Sequence, residues 1–201
     1  MDVDKDGIGE YGTFAEMTGT EGVRTSADGA SRGAVLSPCV ASPALANADA
    51  NGIVTKSGYA FRIYLPGTGG NAVHEGAASR WTGGGSCGSC CPKRSGGTAP
   101  APTPRVLVPG SPFTGPVDTD LAEKRWCAYA WPVARGNSGM RAFFVDETGS
   151  VYQCANDRIG YSGLARGPAF DAAFAPGGGP GWGIVVPGKP GRDGEVWKVT
   201  N

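Results

Sequence analysis

The sequence predicts a small fold built on an antiparallel sheet, with one short helical turn facing it and long irregular connections. Three observations carry this. Between Trp126 and Cys154 lie three short runs crowded with aromatic and β-branched residues, Trp126 to Trp131, Met140 to Val145 and Ser150 to Cys154, joined by Pro, Gly, Asn and Asp. From Tyr59 to Leu65 the chain alternates strictly, with Tyr59, Phe61, Ile63 and Leu65 on one face and Ala60, Arg62 and Tyr64 on the other, as a half-buried strand requires. Glycine (35) and proline (16) together make up about a quarter of the 201 residues, which leaves room for little helix.

Each element follows in order along a single domain spanning 1–201. Thr13 with Glu16 three residues on has the form of a capping box, and Gly19 offers a stop, so a short helix is expected in which Phe14 and Met17 face the sheet. No clear period runs from Thr20 to Asn51; Val35-Leu36 and Ala44-Leu45 read as short apolar contacts, with Cys39 tethering the loop. Pro66-Gly67 ends the alternating strand. A low-complexity, cysteine-containing insertion follows over 68–116, too poor in apolar residues to offset its ordering entropy. After it comes the densest apolar segment of the chain, where the core is expected. Its hairpin closes at Asp146-Glu147-Thr148-Gly149: glycine takes the positive φ, and Asp146 can bond its own turn backbone. A Gly/Pro-rich loop over 155–191, with Phe170 and Phe174 at helical spacing, leads to an edge strand around Val196-Trp197-Lys198-Val199.

Charge and cysteine usage exclude several functions. Lys plus Arg (18) equals Asp plus Glu (18), so no field recruits nucleic acid or an acidic membrane surface. No run approaches the ~18 apolar residues of a membrane helix, and Met1 leads directly into Asp2 with no signal peptide. Six cysteines favour an oxidising compartment. An extracytoplasmic cysteine pattern without an export signal reads as part of a longer protein. Cys127 and Cys154, at the start of one expected strand and the end of another, are the expected disulfide pair. Cys87, Cys90 and Cys91 sit together in the insertion, where Cys-x-x-Cys fits a redox pair, half a zinc site or a local bridge. Zinc needs two more ligands and His74 is the only histidine, so structural disulfides are the expectation.

The candidate sites are few. Asp2, Asp4 and Asp6 alternate before Gly7, the first half of a D-x-D-x-D-G calcium loop in which the Ile8 carbonyl is the next ligand. The twelfth loop position is Thr13 instead of glutamate, leaving Glu10 or Glu16 to substitute, and a solvated acidic turn as the plainer reading. Asp118, Asp120 and Glu123 form a second acidic cluster, read as a solvated loop or as further oxygen ligands for calcium. Gly136-Asn137-Ser138-Gly139 has the glycine-flanked serine of chymotrypsin-like proteases, but His74 would have to be its base and the chain lacks strands for two barrels. A polar turn is the better reading. Nothing in the sequence is catalytic.

Gly9-Glu10-Tyr11-Gly12-Thr13, Ser57-Gly58-Tyr59-Ala60-Phe61, Trp126 to Val133 and Arg141 to Gly149, in this order, resemble the soluble head of bacterial type IV pilin-like and type II secretion pseudopilin proteins. The Gly-Tyr-x-Phe strand and the Phe-Phe-Val-Asp-x-Thr-Gly hairpin carry most of the match, which covers under a third of the chain. The resemblance implies an α+β head, an N-terminal helical segment packed on about four antiparallel strands, in a non-enzymatic filament or secretion subunit. It implies other pilin-like subunits or secretion-system components as partners, and an extracytoplasmic location with an inner-membrane anchor through an apolar helix upstream of Asp2. The alternative is a secreted, disulfide-stabilised calcium- or ligand-binding module.

Overall fold

The computed structural model describes residues 1–76, 114–176 and 182–200. Among these, the chain forms nine strands in two antiparallel sheets: β1 (Gly22–Arg24) with β2 (Arg32–Val35), and a seven-stranded sheet of β3 (Val54–Lys56), β4 (Tyr59–Pro66), β5 (Ala72–Val73), β6 (Cys127–Pro132), β7 (Ala142–Asp146), β8 (Val151–Cys154) and β9 (Lys198–Val199). The order is β3-β4-β6-β7-β8-β9, with β5 extending the end of β4. Helix is confined to single turns, chiefly α1 (Phe14–Met17) and α2 (Thr119–Ala122). The expected α+β head, a helix on about four strands, is therefore corrected to a mostly β fold. The extra strands are two to four residues long, too short for periodicity to reveal, and they form by pairing with a neighbour.

Where the period is long enough, the expected elements are present. The alternating run forms β4, and the 126–154 segment forms β6, β7 and β8 in sequential antiparallel pairing. β4 and β6 are direct neighbours, so the long insertion leaves and re-enters the sheet between adjacent strands. In the β7–β8 turn Gly149 has φ 73°, and Asp146 Oδ1 accepts from the Thr148 N–H (3.1 Å) and hydroxyl (2.6 Å). α1 begins at Thr13, whose N–H donates to Glu16 Oε2 (3.0 Å).

The two sheet faces are covered differently. On one face Ala60, Tyr64, Cys127, Tyr129, Trp131, Ala142, Phe144, Tyr152 and Cys154 are buried against Tyr161, Ala172, Ala173, Phe174 and Trp197. The cover here is the expected Gly/Pro-rich loop, not a helix. Its backbone is satisfied by polar tips of sheet side chains, as a buried irregular segment requires. Tyr129 donates its hydroxyl to the Phe170 carbonyl and accepts from the Ala173 N–H, both at 3.0 Å. Tyr64 Oη donates to the Pro168 carbonyl (2.9 Å), and Trp131 Nε1 to that of Gly163 (2.7 Å). Asn156 accepts from the Tyr161 N–H (2.6 Å) and donates to the Met140 and Tyr161 carbonyls. Phe170 and Phe174 both pack on the sheet, in turn rather than helical conformation.

On the other face α1 packs on the end of β4 through Phe14 against Val54 and Ile63, with Met17 and Leu45 beside them. α2 covers Leu65, Val73 and Val117 through Ala122. Glu16, fully buried, fastens α1 to the small sheet: its carboxylate takes Arg24 Nη1 (2.8 Å), the Arg24 N–H (2.9 Å) and Arg32 Nη1 (2.9 Å).

The Cys127–Cys154 pairing is corrected. Cys127 lies opposite Asp146 and Cys154 opposite Ala142, so β7 separates them by two strand spacings, roughly 10 Å, and by four positions along the strand. A disulfide tolerates a Cα separation of about 7 Å at most. Both are buried thiols; burial pushes Cys154 up to about 12 and Cys127 well above its ordinary value, which removes thiolate character. Native chain treated with a thiol reagent at mildly alkaline pH should leave both unmodified, and peptide mapping should find no bridge between them; a bridge would contradict the strand order. Cys39 is half-buried. Cys87, Cys90 and Cys91, with most of the insertion, lie outside the described residues.

Candidate metal centre

The N-terminal loop turns because its own aspartates bond its backbone. Asp4 Oδ1 accepts from the Asp6 N–H (3.3 Å) and Asp6 Oδ1 from the Ile8 N–H (2.8 Å), while Gly7 at φ 94° makes the sharp bend. This brings carboxylate oxygens of Asp2, Asp4 and Asp6 within 4.8 Å of one another. The loop then runs along α2, where the Tyr11 N–H donates to the Ala122 carbonyl (2.9 Å) and the Tyr11 ring meets Trp126 at 5.9 Å. Asp120 and Glu123, three residues apart on α2 and its C-cap, point to one side. Their oxygens and one of Asp4 again lie within 4.8 Å of one another, so Asp4 belongs to both groups.

The two acidic clusters noted separately in the sequence thus meet at Asp4. Asp118, the third member of the second cluster, is instead the N-cap of α2 and accepts from the Leu121 N–H (3.1 Å). Neither substitute proposed within the loop joins the group. Glu10 Oε1 accepts from the Val3 N–H (2.9 Å), Glu16 is held by its arginines, and Thr13, in the twelfth position, caps α1. Ile8 donates its N–H to Asp6 Oδ1. The carboxylates that complete the set come from another element, which no motif spacing reveals.

The electrostatics are strained in one direction. Burial raises the Glu123 carboxyl above its ordinary range, and Asp6, Asp4 and Asp120 raise it further, opposed by Lys124. Lys124 Nζ stands 3.9 Å from Glu123 Oε2 on a side chain that is 66% exposed, a weak counter-charge. All donors in the group are oxygens, the chemistry of hard cations rather than of zinc.

No catalytic arrangement forms around the remaining candidates. Ser138 Oγ accepts from the Ala134 N–H (3.0 Å) and donates to the Ala134 carbonyl, stabilising the β6–β7 turn. His74 stacks edge-on against Tyr64 (5.7 Å), and its Nδ1 lies 2.7 Å from the Glu75 carbonyl; burial lowers its pKa. Ser138 approaches Gly58 at one end of β4, while Tyr64 is near the other.

A second feature was missed because it depends on register. On the face shared with α1, Ala128 and Ala130 of β6 lie between Ile63 and Phe61 of β4 and Val145 and Phe143 of β7. Small residues on the middle strand between large ones make an open trough of about 320 Å³, lined also by Tyr59 and Val151 and almost wholly apolar. Its walls stand two strand spacings apart, roughly 10 Å, close to the diameter of an α-helix. Phe61 and Ala128 at one end of it pack against the Phe14, Val54 and Ile63 cluster. Among the described residues no helix is long and apolar enough to cross a membrane.

Compared with protein-family models, curated proteins and solved structures, the chain matches none.

Proposed function

We propose that this domain is a non-enzymatic structural subunit head, of the kind carried by pilin-like and pseudopilin proteins, whose sheet trough is its assembly surface. The trough carries the reading: an apolar furrow that runs over four strands, floored by alanines, has the shape to seat a helix. Its occupant is an apolar helix of a filament or secretion subunit, extracytoplasmic and anchored in the inner membrane. A furrow with alanines at its floor accepts such a helix closely. Ala130→Lys tests this. The side chain is half-exposed and points outward, so folding stability should change by less than about 1 kcal/mol, while incorporation into an assembly in the source cell is lost. Wild-type assembly by a folded Ala130→Lys protein would refute the reading.

The acidic centre favours a second reading, a secreted calcium-binding module. Its disulfide component no longer includes Cys127 and Cys154. An Ala130→Lys protein that binds calcium and assembles as the parent does favours this second reading over the first.

A further inference from the structure

We infer that Asp4, Asp120 and Glu123, with Asp2 and Asp6 of the same loop adjoining, form a binding site for a hard divalent cation, calcium, which bridges the N-terminal loop to α2 through Asp4. This is independent of the assembly reading. Two observations carry it. The first is convergence: Asp4 lies within 4.8 Å of two aspartates of its own loop in one group and of two acids from an element more than a hundred residues away in another. The second is Glu123. Its side chain is 2% exposed and its Oε1 has no hydrogen-bond partner, yet one of its oxygens faces Asp4 and Asp120. A buried carboxylate with one oxygen lacking a donor, set beside two other carboxylates, is costly unless a cation completes it.

The ligand chemistry selects the ion. An all-carboxylate set on a flexible loop suits calcium, which takes six to eight oxygens in irregular geometry; magnesium demands a near-ideal octahedron and keeps its waters. The contribution from α2 replaces the glutamate that a D-x-D-x-D-G loop ordinarily supplies from its twelfth position. The Tyr11–Ala122 hydrogen bond holds the two halves together before any ion arrives.

The test is calorimetric titration of the chain with calcium chloride, with thermal unfolding followed in calcium and in chelator. One saturable site is expected, with unfolding raised by roughly 5–10 °C at a hundredfold excess of calcium over Kd. Glu123→Gln and Asp120→Asn, each outside the loop, should weaken binding at least about tenfold. In chelator Glu123→Gln should melt no lower than the parent, because it removes like-charge repulsion, and this distinguishes loss of a ligand from loss of folding. Absence of heat and of any unfolding shift overturns the site. Binding that survives both α2 substitutions unchanged overturns the bridge.

Discussion

Phe144→Ala should destabilise the domain by about 3–5 kcal/mol, lowering its Tm by on the order of 10 °C. Phe144 is 1% exposed on the central strand β7, in register between Tyr129 of β6 and Tyr152 of β8. Its ring lies 4.9 Å from Tyr129, 5.9 Å from Tyr152 and Phe174 and 6.2 Å from Trp197, joining the sheet to the loop that covers it. Each such aromatic pair adds roughly 0.5–1.5 kcal/mol beyond the burial of its area. The cavity left by alanine cannot collapse readily, because the cover is held by hydrogen bonds to Tyr129, Tyr64 and Trp131. Chemical denaturation of parent and variant measures the effect. A loss below about 1 kcal/mol would mean that the 155–191 loop is not part of the core.

Glu16→Ala should cost a similar 3–5 kcal/mol for an electrostatic reason. Glu16 and Arg24 have fully buried side chains in contact at 2.8 Å, and Arg32 meets the other carboxylate oxygen at 2.9 Å. Removing the carboxylate takes from the buried Arg24 guanidinium its 2.8 Å anionic partner, and frees the Thr13 and Arg24 N–H groups that Glu16 accepted. The cost is that of a buried charge deprived of its carboxylate, so the penalty should fall when Arg24 is removed as well. A double-mutant cycle with Arg24→Met, read by denaturant unfolding, gives this coupling directly. Additive losses would show that the pair is not energetically joined.

How much of this was legible in the sequence depended on the length of each pattern. Tyr59 to Leu65 alternates over seven residues, and the 126–154 runs are dense enough that β4, β6, β7 and β8 were evident. The Thr13–Glu16 capping box announced α1 because its two partners are three residues apart. Strands such as β1, β2 and β5 carry no period of their own; they exist because a partner edge is present. The loop over 155–191 was legible as a loop, but its place over the sheet was not, for a related reason. Its composition reads as connection, but its backbone is satisfied by tyrosine and tryptophan side chains more than thirty residues away. The Cys127–Cys154 error was one of topology: strand ends close in a diagram are far apart once β7 lies between them.

The metal centre was half legible. Three alternating aspartates before Gly7 specify a turn that gathers carboxylates, and the loop does this. The second acidic cluster was visible too, but only the fold shows that Asp120 and Glu123 reach Asp4 while Asp118 caps α2. The trough was invisible, since it depends on which strands flank Ala128 and Ala130.

The most direct test of the assembly reading is photo-cross-linking from the trough in the full-length protein in its own cells. A benzophenone amino acid in place of Phe143, which lines the trough and is half-exposed, reports what covers the sheet. The account predicts cross-links to an apolar helical segment of a filament or secretion subunit, identified by mass spectrometry. A trough that yields no cross-linked protein while the cells assemble normally would contradict it.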